Sequence, residues 1–224
     1  MRFELEKNSY KATKSQAVRL DERHKADAAE IVCCGLPIKV FGGVYQTSLD
    51  TELMADTVNI QSNETFLEIG CGTGVVSIVI SKKARFGCAV DINTLAIESG
   101  KYNCKRHEVT NISFVESDVF SNVKGKFDVI FCNPPYNDHE ANDVIERMFW
   151  DPDNEMKCRF FKEVGNYLND KGRIYFGWAN FADLDLNLPF RLAKENGFEM
   201  IDIKSRESPH KSCTFYVFEF KKNR

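Results

Sequence analysis

Two short stretches hold residue types suited to chemistry. Phe127 to Asp138 reads FDVIFCNPPYND, a strand-like apolar run that stops at Asn133-Pro134-Pro135-Tyr136. The amide offers a donor and an acceptor, the two prolines fix the course of the backbone, and the ring offers a flat face. A chain rarely sets two prolines directly after a buried strand without a reason. Upstream, LEIGCGTGVV places Gly70, Gly72 and Gly74 between a strand and a helix. Glycines there let a ligand approach the backbone outside the carboxyl end of the strand, which suits a nucleotide-type molecule. The spacing is G-x-G-x-G, and Val75 stands where the dinucleotide fingerprint needs its third glycine. An NAD-linked oxidoreductase is therefore disfavoured.

Three carboxylates surround that loop in sequence. Glu68 falls inside the strand, where a charge is costly without a partner, and a cationic amino group on the ligand would supply one. Asp91 ends the next strand, where an acidic residue can accept both hydroxyls of a ribose. Asp118 follows the third strand and is placed for an adenine amino group, with Val119 or Phe120 against the ring. Local roles are open too: Asp91 could lead a helix cap before Asn93, and Asp118 could be a loop residue.

These residues need elements to hold them. TFLEIG, GCAVD, ISFVES, FDVIFCN and RIYFGWA read as strands, and GVVSIVISKK, NTLAIESGKYNCKRH, DNEMKCRFFKEVGNYLN and LPFRLAKENG as helices between or beyond them. Near-continuous apolar strands alternating with helices predict a parallel sheet covered on both faces. FEMIDIK and SCTFYVFEF are joined by a link too short for a crossover helix, so the last two strands are expected to be antiparallel. Before the sheet, residues 13–33 read as a helix stopped by Gly35 and Pro37, IKVF as a short strand, and DTELMADTV from Asp50 as a helix with an acidic first turn.

Composition fits one ordinary globular domain of 224 residues. No segment reaches the roughly 20 apolar residues of a membrane span, and the charged N-terminus lacks an apolar leader, so a cytoplasmic protein is expected. Eight cysteines, two adjacent and others in apparent core strands, read as reduced buried thiols. Cys104 and His107 form a lone pair without a second pair at metal spacing, so no metal is expected. The net charge of −3 divides into basic ends and an acidic middle, which gives no strongly basic groove.

With these residues in place, Val44 to Phe220 resembles a class I S-adenosylmethionine-dependent methyltransferase. The resemblance implies a Rossmann-like sheet of seven strands, mostly parallel with an antiparallel final strand, and helices on both faces. It implies a short N-terminal helical extension over 1–43 as a substrate lid and a catalytic domain over 44–224. S-adenosylmethionine would be held by Glu68, Gly70, Cys71, Gly72 and Gly74 at its methionine portion, by Asp91 and Ile92 at the ribose, and by Asp118 and Val119 at the adenine, with Asn133 close by.

N-P-P-Y at this strand end looks like the signature of enzymes that methylate exocyclic amino groups of bases or glutamine side chains. On that reading the Asn133 side-chain oxygen and the Pro134 carbonyl accept the two N–H bonds of a planar nitrogen and localise its lone pair, while Tyr136 stacks on the flat group. VYQTSLDTELMAD, Val44 to Asp56, resembles the segment before the cofactor loop in HemK-type glutamine methyltransferases, with Thr47 in place of a proline and Met54 in place of a leucine. It implies that Tyr45 or Thr51 touches the ligand. The first 40 residues and the loop after Tyr136, including Phe149 and Trp150, are expected to select the acceptor. A protein glutamine ranks ahead of an RNA or DNA base and of a small planar amine or amide. A non-catalytic scaffold is the reading from another class, against which Glu68, Asp91 and the intact Asn-Pro-Pro-Tyr stand.

Overall fold

The computed structural model describes residues 5–209 and 213–223. Residues 1–4 of the charged N-terminus lie outside them, as do Ser212, assigned above to the last strand, and Lys211 and Arg224 of the basic C-terminus.

Five parallel strands form the centre: β3 (Thr65–Ile69), β4 (Phe86–Asp91), β5 (Ile112–Glu116), β6 (Phe127–Cys132) and β7 (Leu168–Ala179). β9 (Thr214–Lys222) inserts antiparallel between β7 and β8 (Phe198–Glu207), giving the order β5-β4-β3-β6-β7-β9-β8. The short link between β8 and β9 leaves a hairpin as the only local solution, as the sequence predicts. Helices α3 (Val75–Ser81), α4 (Thr94–Arg106), α5 (Glu155–Tyr167) and α6 (Leu188–Glu195) connect the strands, and α2 (Leu49–Thr57) precedes the sheet.

Every residue of β3 is buried, and in β6 only Asp128 is not. Their side chains alternate between two cores: Val129 and Phe131 pack with Phe66, Val75 and Val76, whereas Ile130 and Cys132 pack with Phe160, Phe161 and Phe176. Chain order reverses between β3 and β6, and Ile69 pairs with Cys132. Gly70 and Asn133 thus leave the sheet side by side, at the switch point where open α/β sheets bind ligands.

The N-terminal region differs from the expected single helix over 13–33. α1 (Thr13–Lys25) is shorter, and β1 (Ala29–Cys33) pairs antiparallel with β2 (Leu36–Val40). Cys34 and Gly35 have φ of 53° and 71°, the two left-handed residues that a tight hairpin turn requires. The β-branched Ile31 and Val32 thereby join a strand, although their spacing also fits a helix. Ile38 and Val40 are fully buried in the same core as Phe66, and Ser99 and Asn103 of α4 both donate to the Lys39 carbonyl. This hairpin is part of the sheet's packing, while α1 rests on the loop after β6.

Candidate active site

β3 delivers the chain to a loop whose backbone only glycine adopts freely: φ is 75° at Gly70, 52° at Gly72 and 76° at Gly74. At Gly74, the N-cap of α3, an added Cβ would lie 2.9 Å from the Gly100 Cα, so close helix packing adds a second reason. At Gly70 and Gly72 an added Cβ meets nothing within 4 Å. The space before those two residues is a cavity of about 320 Å³, within the range of small-molecule sites.

Glu68 lies beneath the loop, 6 % exposed, and burial pushes its pKa up to about 8. Its Oε2 accepts from the Ser77 N–H at 3.1 Å and from the Ser77 hydroxyl. Hydrogen-bond donors of the protein thus compensate Glu68 already, beside any cation a ligand would bring. Asp91 accepts from the Gly72 N–H through Oδ2 and from the Asn93 N–H through Oδ1, each at 2.9 Å. It shapes the glycine loop and leads α4 while facing the cavity, and burial raises its pKa.

Asp118 is half-exposed and accepts from Arg159 Nη1 at 2.6 Å, a partner that sequence spacing does not reveal. Val119 lines the cavity with φ of 50°. Phe120 does not, because it is buried and stacks on Tyr167 at 4.6 Å. Cys71, Ile92 and Thr51 line the same space, and the Thr51 hydroxyl closes the capping box of α2 by accepting from the Ser48 N–H at 3.3 Å. Of the residues expected at the cofactor, all reach this cavity except Phe120 and Gly74, the latter facing α4.

The opposite wall is the Asn-Pro-Pro-Tyr stretch. Asn133 Nδ2 donates to Asp50 Oδ2 at 2.9 Å, and its Oδ1 accepts from the Tyr136 hydroxyl at 2.7 Å. These two bonds distinguish the ends of the amide and fix its plane, leaving the second lone pair of Oδ1 for an acceptor. Asp50 is 5 % exposed and also accepts from the Ser48 hydroxyl, the Tyr45 hydroxyl and the Thr51 N–H. Burial, followed by the Asp50 charge, keeps Tyr45 and Tyr136 protonated well above the usual phenol range. Asn133 also needs room: an added Cβ on Gly177 of β7 would come within 2.3 Å of its Oδ1.

Tyr136 departs from the stacking role expected for it. Its ring is 6 % exposed and meets Trp178 and Phe181 edge-on, while its hydroxyl bonds Asn133. Phe149 and Trp150 both line the cavity and pack with Leu20 of α1 in a small apolar cluster. Gln16 of α1 accepts from Asn137 Nδ2 at 2.7 Å and reaches the same space.

Ser77, Gly177 and Lys157, whose ammonium donates to the Pro135 carbonyl at 2.9 Å, are missing from the sequence reading. Asp50 is read there only as part of the acidic first turn of a helix, whereas the structure makes it the partner of Asn133 and leaves the N-cap to Ser48.

Among the described residues no helix is long and apolar enough to cross a membrane, and no group of three or more His, Cys, Asp or Glu could hold a metal. Six of the eight cysteines are buried; Cys158 is exposed and Cys34 half-buried, which departs from uniformly buried thiols.

A model of the methyltransferase small domain family matches residues 38–189. A Methanocaldococcus jannaschii protein provisionally named a protein N5-glutamine methyltransferase is 41% identical over 147 residues, covering 62% of this chain and 74% of that protein. The release factor glutamine methyltransferase of Fusobacterium nucleatum is 27% identical over 190 residues, 75% of this chain and 52% of that protein. Ribosomal RNA small subunit methyltransferase C of Haemophilus influenzae is 35% identical over 108 residues, 46% of this chain and 32% of that protein. The chain thus spans about three quarters of the first, half of the second and a third of the third. Among solved structures, M. jannaschii TYW2 in complex with AdoMet superposes with a TM-score of 0.59 at 17% identity, over 88% of each chain, which shows the shared fold.

Proposed function

The chain belongs to the methyltransferase small domain family, and from that premise we propose that this S-adenosylmethionine-dependent N-methyltransferase acts on a planar carboxamide nitrogen, the side chain of a glutamine in a protein acceptor. The observation that carries the proposal is the Asn133 amide, locked between Asp50 and Tyr136 on the cavity wall facing the glycine loop. S-adenosylmethionine would supply a methyl group on a cationic sulfur, the driving force being release of a neutral thioether as the C–S bond breaks and the N–C bond forms, with one N–H proton of the acceptor passing to solvent.

The chain's own residues bind and orient. The open loop at Gly70 and Gly72 admits the methionine portion, with Glu68 below it, and Asp91 and Asp118 present carboxylates to the ribose and the base. Asn133 Oδ1 accepts one N–H of the acceptor amide and the Pro134 carbonyl the other, which favours the pyramidal nitrogen of the transition state over the planar ground state. Holding nitrogen and methyl in line is the larger part of the catalysis. Phe149 and Trp150 supply an apolar wall beside the acceptor.

Two relatives named as glutamine methyltransferases support the acceptor, and a cytoplasmic setting belongs to the same proposal. The relatives named for ribosomal RNA support a nucleobase as the second reading. Incubation with labelled cofactor and a cell extract, followed by separation of protein, nucleic acid and metabolite fractions, decides between them. Label in protein, at glutamine after digestion, is the expected outcome; label in RNA or DNA alone overturns the acceptor assignment.

A further inference from the structure

Beneath the Asn-Pro-Pro-Tyr loop lies a charge that the transfer does not use directly. The Lys157 side chain, near the start of α5, is fully buried, although lysine is among the residues least often enclosed. Its ammonium has three protons, and three acceptors surround it: the Pro135 carbonyl at 2.9 Å, Asp151 Oδ2 at 2.9 Å and the Tyr136 carbonyl at 3.4 Å. The Trp178 ring lies 5.9 Å away.

The Asp151 side chain is equally buried. Its two oxygens accept the N–H groups of Met156 at 2.9 Å and Lys157 at 3.2 Å, which opens α5, and its own N–H donates to the Asn137 carbonyl at 2.8 Å. The pair therefore ties together the start of α5, the end of the long loop, and the two residues after Pro134. Burial lowers the Lys157 pKa while Asp151 opposes that shift. A buried ion pair contributes little net stability compared with well-packed apolar side chains of similar volume. Its presence here calls for a reason of position.

Resting on the proposed transfer to a planar nitrogen, we propose that Lys157, held by Asp151, is a positioning residue that draws in the carbonyls of Pro135 and Tyr136 and so leaves the Pro134 carbonyl as the one offered to the acceptor beside Asn133. Two prolines fix φ, and the second confines ψ of Pro134 to the extended range, but neither sets ψ at Pro135 or Tyr136, so rigidity alone does not decide where the following peptide planes face. An ammonium bonded to two carbonyls in succession decides it. The same contacts set the height of Tyr136, whose hydroxyl holds Asn133 Oδ1.

The test uses the full chain and a neutral pair, Lys157→Met with Asp151→Asn, because Lys157→Met alone strands a buried carboxylate and is expected to unfold at a lower temperature. Methyl incorporation from labelled S-adenosylmethionine into cell extract registers any acceptor, so the result does not depend on glutamine being the right one. The expected outcome for the double variant is a cofactor Kd within about two-fold of wild type, a cooperative melt, and turnover lower by about 100-fold, the scale of a misplacement near 1 Å. Lys157→Arg, which keeps a buried donor, is expected to retain more activity than the neutral pair. A crystal structure of the double variant should show the Pro135 and Tyr136 carbonyls displaced. Wild-type turnover from the double variant, or an unmoved loop in its crystal structure, overturns the role.

Discussion

The two walls of the cavity are built by different means. On the cofactor side the glycine loop is fixed over short separations, at most 19 positions: three left-handed glycines after β3, Asp91 bonded to Gly72 and Asn93, and Glu68 bonded to Ser77 at the start of the next helix. On the acceptor side the bonds that hold Asn133 and the loop after it span 83 positions, from Asp50 to Asn133, and 121, from Gln16 to Asn137. The first wall is a property of the strand-loop-helix unit. The second depends on the whole domain being assembled.

Substitutions on each wall should accordingly separate binding from turnover. Asn133→Ala should have the largest effect, lowering kcat about 100- to 1,000-fold, as for loss of one preorganised donor or acceptor, with cofactor Kd within about two-fold. Equal losses in both, by steady-state kinetics and calorimetric titration, would merge the two walls. Asp91→Ala should weaken cofactor binding by roughly 1–3 kcal/mol, the range for losing a charged hydrogen-bond partner, with a smaller change in kcat at saturation.

Gly177→Ala pushes a methyl group towards Asn133 Oδ1 from the next strand. It should cut kcat by about ten-fold, the displacement being less than 1 Å, and leave cofactor affinity unchanged. A weaker but more diagnostic effect comes from pH. Glu68 is mostly protonated below about 8 in the free protein, and a ligand ammonium favours the carboxylate, so binding expels a proton in that range. Cofactor affinity should rise with pH up to about 8 and level off above it, while Glu68→Gln should flatten that rise; a falling profile in wild type would remove Glu68 from the methionine end. Arg159→Ala should have the smallest effect, under about three-fold on cofactor Kd, because its pair with Asp118 is solvent-exposed.

The same contrast explains what could be read from residues alone. Strand order, the antiparallel end of the sheet and the glycine loop follow from apolar runs, link lengths and spacing, all local signals. Asn133 was legible because two prolines after a buried strand are costly to place. Its partner Asp50 was not: a first-turn aspartate is the ordinary preference of a helix N-terminus, and nothing in spacing says that its carboxylate turns inward to bond an amide 83 positions away. Lys157 falls on an amphipathic helix where lysine normally reaches water, and only the packed domain shows it enclosed. The expected IKVF strand falls on β2, but β1 was missed for the converse reason, since Ala28 to Val32 satisfies helical and strand patterns equally over so short a run.

One structure tests the pairing of the two walls most directly: a crystal of the enzyme with S-adenosylhomocysteine and a glutamine-containing peptide. The glutamine nitrogen should lie within about 3.2 Å of both Asn133 Oδ1 and the Pro134 carbonyl, with the thioether sulfur on its far side. An Asn133 amide turned into the protein interior, or a peptide seated away from it, would contradict the mechanism.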